Sequence, residues 1–161
     1  SVQLTTYAQV MANADLGPQH GAGEPFTRSG LIDVVTPEFA EAATRMLDAG
    51  ATHFFSVRAL GGAVADVPDD ATAFAHREAR FSITAIGRSA RFDALWNDLE
   101  ESMSGLYLSF EQRTDPHLLE RAFPPPTLAR LRAIKAQVDP TGLFRDNFFV
   151  GTLPAAASDA A

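Results

Sequence analysis

Ala59-Leu-Gly-Gly-Ala-Val-Ala-Asp-Val-Pro-Asp-Asp-Ala-Thr-Ala-Phe-Ala-His-Arg-Glu-Ala-Arg-Phe-Ser-Ile-Thr-Ala-Ile86 has the pattern of a strand, a glycine break, a long polar turn and a second strand. Apolar residues lead into the Gly61-Gly62 break, a long polar turn follows, and Phe81-Ser-Ile-Thr-Ala-Ile86 then alternates. Period-2 alternation predicts a half-buried strand. The run before the glycines, Thr52-His-Phe-Phe-Ser-Val-Arg-Ala-Leu60, predicts another. In it His53, Phe55 and Val57 share one face, and Phe54, Ser56 and Arg58 share the other. A loop joins the two strands, so they are expected to pair antiparallel. Within that loop His76 and Arg77 read as a pair that holds the turn by hydrogen bonds.

Upstream, Ser29-Gly-Leu-Ile-Asp-Val-Val35 predicts a strand, and Asp15 to Gly30 reads mostly as loop. Thr36 caps a helix with Pro37 at its first position and Gly50 as its stop. Thr5 to Ala14 predicts a short helix, with Thr6 and Gln9 at capping-box spacing. Downstream, Ser89 caps a helix whose stripe is Phe92, Leu95, Trp96, Leu99 and Met103; core packing explains Trp96 better than a ligand-stacking role. Leu106-Tyr-Leu-Ser-Phe110 predicts a fourth strand, Pro116 to Ala122 a helix, and Pro124-Pro-Pro126 a break. Thr127 is expected to cap the last helix, which Asp139-Pro140 stops. Arg130, Arg132 and Lys135 give it a basic side that reads as solvated or as a docking face. The tail from Pro154 is Ala/Ser-rich and expected to be disordered. The predicted fold class is α+β, an antiparallel sheet with helices packed on one face.

The chain has 161 residues, 46% hydrophobic and 20% charged, which suits one folded domain. A net charge of -7 argues against nucleic acid as a partner, because phosphate binding needs a basic face. No run approaches a membrane span, so no membrane partner is expected. With no visible leader, a cytoplasmic location is favoured over a secreted one. The absence of cysteine removes thiol nucleophiles, Cys-based metal sites and disulfides. His20, His53, His76 and His117 never fall at i, i+4, which disfavours a metal site. Asp66, Asp69 and Asp70 read as a solvated turn, Gly21-Ala-Gly23 as a flexible loop, and no G-x-S-x-G elbow is present.

The C-terminal run Leu128-Ala-Arg-Leu-Arg-Ala-Ile-Lys135-Ala-Gln-Val-Asp139-Pro140-Thr-Gly-Leu-Phe144-Arg145-Asp-Asn147 resembles the closing segment of berberine-bridge-enzyme-like flavin oxidases. Leu60-Gly-Gly-Ala63, followed by Thr72-Ala-Phe-Ala-His-Arg77, is similar to the same family. Tyr7-Ala-Gln, Ser29-Gly and Tyr107-Leu-Ser-Phe110 fall in the family's order, so the resemblance spans about residues 4 to 150. It implies an FAD-dependent oxidoreductase that passes hydride from a small-molecule substrate to flavin. It divides the chain into a substrate domain (1–126), a berberine-like closing segment (127–150) and the tail (151–161). The flavin-binding domain would be a partner missing from this chain, which is expected to be inactive alone. The start at Ser1 fits a processed or truncated N-terminus.

By the same resemblance, substrate-contacting positions fall on Ser56, Arg58, Thr84, Tyr107 and Phe110, and Asn147 faces the cofactor. Two residues depart from the family's Y-x-N-Y pattern. Ser109 replaces its Asn, and Phe110 stands where a second Tyr looks like the catalytic base. A phenyl ring takes no proton, so the base is left open. On a regular strand Tyr107 would turn away from the face of Phe110. The substrate is left open too, though Phe110 and Thr84 suggest a less polar one. A competing expectation is a free-standing binding module. Either way an apolar patch around Phe54, Tyr107, Phe110 and Phe148-Phe149 is expected, covered by a partner or in a homodimer.

Overall fold

A computed structural model describes residues 4–9, 25–145 and 148–151 of the chain. Three strands, β1 (Phe26–Ile32), β2 (Thr52–Ala59) and β3 (Phe81–Gly87), form an antiparallel sheet in the order β1-β3-β2. The helices are α1 (Pro37–Asp48), α2 (Ala90–Glu100), α3 (Pro116–Ala122) and α4 (Pro125–Val138). The α+β expectation holds, and so does the antiparallel pairing of the strands flanking the Gly61-Gly62 turn.

Local chemistry explains most of these elements. Thr36 and Ser89 accept hydrogen bonds from the N–H groups of Phe39 and Phe92, closing the starts of α1 and α2. Gly50 has φ 65°, the left-handed conformation that ends α1 without a Cβ penalty. Residues 7–9 are helical, and Thr6 Oγ1 accepts from the Gln9 N–H as the capping box predicts; residues 10–14 of the expected helix lie outside the described residues.

Alternation sorts the sheet into two faces. Ile32, Ile83, Ala85 and Phe55 meet Phe39, Met46, Phe92, Trp96, Leu99 and Met103 of the helical layer in the main core. Trp96 is fully buried there, as its place in the stripe predicts. Gly30 belongs to this face because Met103 fills the space beside it: a Cβ at Gly30 would overlap the sulfur. The opposite face carries Thr27, Ser29 and Leu31 of β1, Ser82, Thr84 and Ile86 of β3, and Phe54, Ser56 and Arg58 of β2.

Three local expectations are corrected. β1 begins at Phe26 and ends at Ile32, so the strand expected from Ser29 starts three residues earlier, in what reads as loop, and residues 33–35 lie beyond it. α4 opens at Pro125 and not at Thr127; proline is accommodated at a first helical position, where its missing N–H has no partner to lose. The fourth strand is absent: Leu108–Phe110 is a single 3-10 turn, preceded by one isolated bridge from Gly105 to Leu31.

Candidate functional site

The register lines Ser29, Thr84 and Ser56 up in one row across the three strands, with Arg58 opposite Ser82 in the next. Sequence parity placed Ser56 and Arg58 on one face, and Thr84 joins them. The stretch Ser104–Gln112 follows the free edge of β1. Leu31 exchanges backbone bonds with Gly105 and Ser104, Ser29 Oγ accepts from the Tyr107 N–H, and Gln112 Oε1 accepts from the Thr27 N–H.

Between the second and third of these contacts the chain leaves the edge. The Phe110 N–H bonds to the Tyr107 carbonyl and the Glu111 N–H to that of Leu108, and the turn throws Phe110 across the helix-free face. There the Arg58 guanidinium of β2 lies 5.5 Å from the centre of the Phe110 ring. Thr84 is on the strand between, which accounts for its being only 3% exposed. A ligand on this face meets Ser56, Arg58, Tyr107 and Phe110 before Thr84.

The turn also changes the relation of the two aromatic site residues. On a strand, residues three apart face opposite ways, whereas in a 3-10 turn i and i+3 eclipse. The rings of Tyr107 and Phe110 accordingly stand 5.9 Å apart. Phe74, from the polar loop, meets Tyr107 edge-on at 6.2 Å and His76 at 6.4 Å, while Arg77 lies over the Phe74 ring at 5.1 Å. Phe110, Tyr107 and Phe74 form one aromatic strip with a guanidinium at each end. Beside it, Phe74, Leu106, Tyr107, Leu108, Ala122 and Phe123 line a concavity of about 190 Å³.

The polar loop is fixed as the sequence predicts. His76 Nε2 lies 2.9 and 3.1 Å from the carbonyls of Arg121 and Ala122. Arg77 donates to the Val64 carbonyl and the Thr72 hydroxyl. Arg58 differs: among the described residues it has no ion pair and no hydrogen bond, and only a ring beneath it.

An ionic ladder that the sequence reading missed anchors the far side of the turn. Asp93 pairs with Arg28 at 2.7 Å, Arg28 approaches Glu111 at 3.5 Å, and Glu111 accepts from Arg113 at 2.8 Å. Arg113 then grips Glu100 at 2.7 Å, and Glu100 also binds Arg121. The Glu111 carboxylate is completely buried and also accepts the backbone N–H groups of Gln112 and Arg113. Burial pushes the Glu100 carboxyl up, but hydrogen bonds and charge from Arg113 and Arg121 outweigh it and hold the carboxyl below its ordinary value. Burial likewise pulls Arg113 down, and its two carboxylate partners carry it well above its ordinary value.

The C-terminal motif is a second self-contained knot. Asp139 accepts from the N–H groups of Leu143 and Phe144 and from Lys135, whose ammonium also reaches the Phe144 carbonyl. The Lys135 hydrogen bond is the chief reason the Asp139 carboxyl sits below its ordinary value. Arg132 donates to the Val150 carbonyl and Arg130 to that of Asp70, so the basic side of α4 is spent on neighbouring segments. Asn147 lies outside the described residues.

The expected apolar patch is present in part. Phe54 and Tyr107 are exposed by 44% and 41%, while Phe110, Phe148 and Phe149 are half-buried. A further exposed group, Ile134, Val138, Leu143 and Phe144, lies on α4 and the turn after it. Among the described residues, no helix is long and apolar enough to cross a membrane, and no cluster of His, Asp and Glu has metal-binding form.

No protein-family model matches the chain, and no curated protein does. Solved structures do match. A chitooligosaccharide oxidase superposes with TM-score 0.66 at 18% identity, over 81% of this chain and 33% of that one. An aclacinomycin oxidoreductase superposes with TM-score 0.58 at 18% identity, over 89% of this chain and 36% of that one. The chain thus shares its fold with part of each, and spans about a third of their length.

Proposed function

We propose that this chain is the C-terminal, substrate-binding part of an FAD-dependent oxidoreductase that moves hydride from a small organic molecule to flavin. One observation carries the reading. The helix-free sheet face presents a guanidinium, Arg58, that is uncommitted among the described residues, beside Phe110 and Tyr107, on a fold shared with about a third of two oxidoreductase chains. Within this reading residues 1–126 form the substrate domain and residues 127–150 a berberine-like closing segment.

The described residues do not fit FAD itself. A pyrophosphate seeks free N–H groups at a helix start. Here the Thr36 and Ser89 hydroxyls each take one N–H at the starts of α1 and α2, and α3 and α4 open on prolines that lack one, so none of the four described starts presents its full set of N–H groups. On this proposal the cofactor is held by a separate flavin-binding domain. What this chain supplies is the wall across the substrate. Arg58 and Ser56 offer donors, the Phe110 and Tyr107 rings offer apolar surface, and the Tyr107 hydroxyl is the one phenol among them. Because the turn brings Tyr107 beside Phe110, Tyr107 is the candidate for the proton-handling role that Phe110 cannot take.

The test is reconstitution. The chain alone is expected to be colourless at the flavin bands. Mixed with the flavin-domain polypeptide encoded beside it, it should give a yellow complex that turns over. Failure to associate at micromolar concentration contradicts the proposal.

A further inference from the structure

We infer that the surface formed by Arg58, Phe110, Tyr107 and Phe74 takes a flat aromatic ligand bearing a carboxylate, and so names the substrate class of the proposed site. The inference rests on the reading of this face as the substrate wall, and three observations carry it.

The first is Arg58. Among the described residues no carboxylate pairs with it, and unlike Arg45, Arg80, Arg88 and Arg91, which also lack an ion pair there, it sits against an aromatic ring of the strip. Its guanidinium lies 5.5 Å from the centre of the Phe110 ring, and among the described residues its edge donors are unspent. A planar fork of that kind matches a carboxylate in two parallel hydrogen bonds.

The second is the strip itself. Three rings, Phe110, Tyr107 and Phe74, follow one another at 5.9 and 6.2 Å. The concavity beside Tyr107 is walled by Leu106, Leu108 and Phe123, with room for about 190 Å³. Ring-on-ring contact favours a flat apolar body over a hydroxyl-studded one, whose polar groups would lose water without replacement.

The third is the sign of the field along the strip. Aromatic faces also attract cations, but here Arg58 stands at one end and Arg77 at the other. A cationic ligand would face two guanidinium groups. Glu111, next in sequence to Phe110, offers it nothing, because its carboxylate is buried and already bound by Arg28 and Arg113. The strip therefore selects an anion although the whole chain carries a charge of -7.

The experiment uses the chain as it is, with labelled Arg and aromatic side chains followed by NMR. Three probes are titrated: 1-naphthoate, which has ring and charge; 1-naphthalenemethanol, which has the ring alone; and cyclohexanecarboxylate, which has the charge on a non-planar body. Naphthoate should give saturable shifts at Arg58, Phe110 and Tyr107 and bind about tenfold tighter than either of the others, the worth of one charge-assisted pair or one stacked ring. Arg58→Gln should remove that advantage over naphthalenemethanol, and Phe110→Leu should weaken both ring probes while leaving cyclohexanecarboxylate unchanged. Unaltered Trp96 resonances in each variant confirm the fold.

Equal affinity for naphthoate and naphthalenemethanol overturns the inference. So does naphthoate binding that is indifferent to Arg58→Gln, or an absence of saturable shifts at these residues. The result is separable from the proposal it rests on. Turnover of a neutral substrate by the reconstituted complex, without naphthoate binding, refutes the substrate class and leaves the oxidoreductase reading intact. Naphthoate binding by a chain that never associates with a flavin domain does the reverse.

Discussion

Replacing Glu111 by glutamine should loosen the turn that carries the site. The carboxylate is completely buried and receives Arg113 twice, at 2.8 and 3.1 Å, Arg28 at 3.5 Å, and two backbone N–H groups. An amide oxygen can keep the two N–H bonds, but the NH2 group then points donors at Arg113. Breaking a buried charge pair by removing one partner costs about 3–5 kcal/mol. Both arginines retain a second carboxylate, Asp93 for Arg28 and Glu100 for Arg113, so the lower end of that range applies, about 3 kcal/mol. For a domain of this size that corresponds to a fall in Tm of roughly 6–12 °C. The assay is urea and thermal unfolding followed by Trp96 fluorescence, with the exposed Glu120→Gln as the control. Near-UV circular dichroism should also weaken, because Phe110 adjoins Glu111 and loses its fixed place beside Tyr107. A Glu111→Gln variant within about 0.5 kcal/mol of the parent, the usual range for a surface change, would show that the buried carboxylate does not hold the turn.

Other outcomes follow from the same contacts. Glu100 is held below its ordinary value of 4.5, so the unfolded chain binds more protons there than the folded one. Its share of stability is complete above 4.5 and is lost as pH falls through the depressed folded value; urea midpoints should therefore drop below 4.5, and Glu100→Gln should flatten that drop. A Cβ at Gly105 would lie 2.6 Å from the His76 ring, so Gly105→Ala should cost about 1–3 kcal/mol. Adding His76→Ala should make the pair less than additive by denaturant unfolding. Asp139→Ala removes the acceptor that Leu143, Phe144 and Lys135 share, and limited proteolysis should then cut after residue 140 sooner than in the parent.

The strands and first two long helices were legible because their signals are local. The caps at Thr36 and Ser89, the stop at Gly50 and the alternation in Phe81–Ile86 each lie within a few residues of what they determine. Parity likewise put Ser56 and Arg58 together. Leu106–Phe110 misled because its alternating pattern resembles a strand, while the forces that bend it come from elsewhere. The Ser29 hydroxyl takes the Tyr107 N–H, and Glu111 is held by Arg28 and Arg113. The ladder from Asp93 to Arg121 draws on β1, α2, α3 and the intervening loop, and no spacing in the sequence joins them. Thr84 was placed on the right face, but its burial follows from the strand order, which sets β3 between β1 and β2 and which local pattern does not give. The aromatic strip was hidden too: Phe110 stands beside Tyr107 because the 3-10 turn replaces a strand, and Phe74 reaches Tyr107 from a loop more than thirty residues away.

Whether this chain completes a flavin enzyme from the substrate side is decided by the visible spectrum and turnover of the chain mixed with the flavin-domain polypeptide encoded in the same frame or beside it. No flavin bands are expected from the chain alone, a yellow complex on mixing, and bleaching of that colour by substrate that Arg58→Gln impairs. A flavin domain that turns over equally well without this chain, or the lack of any such domain encoded with it, would rule that role out.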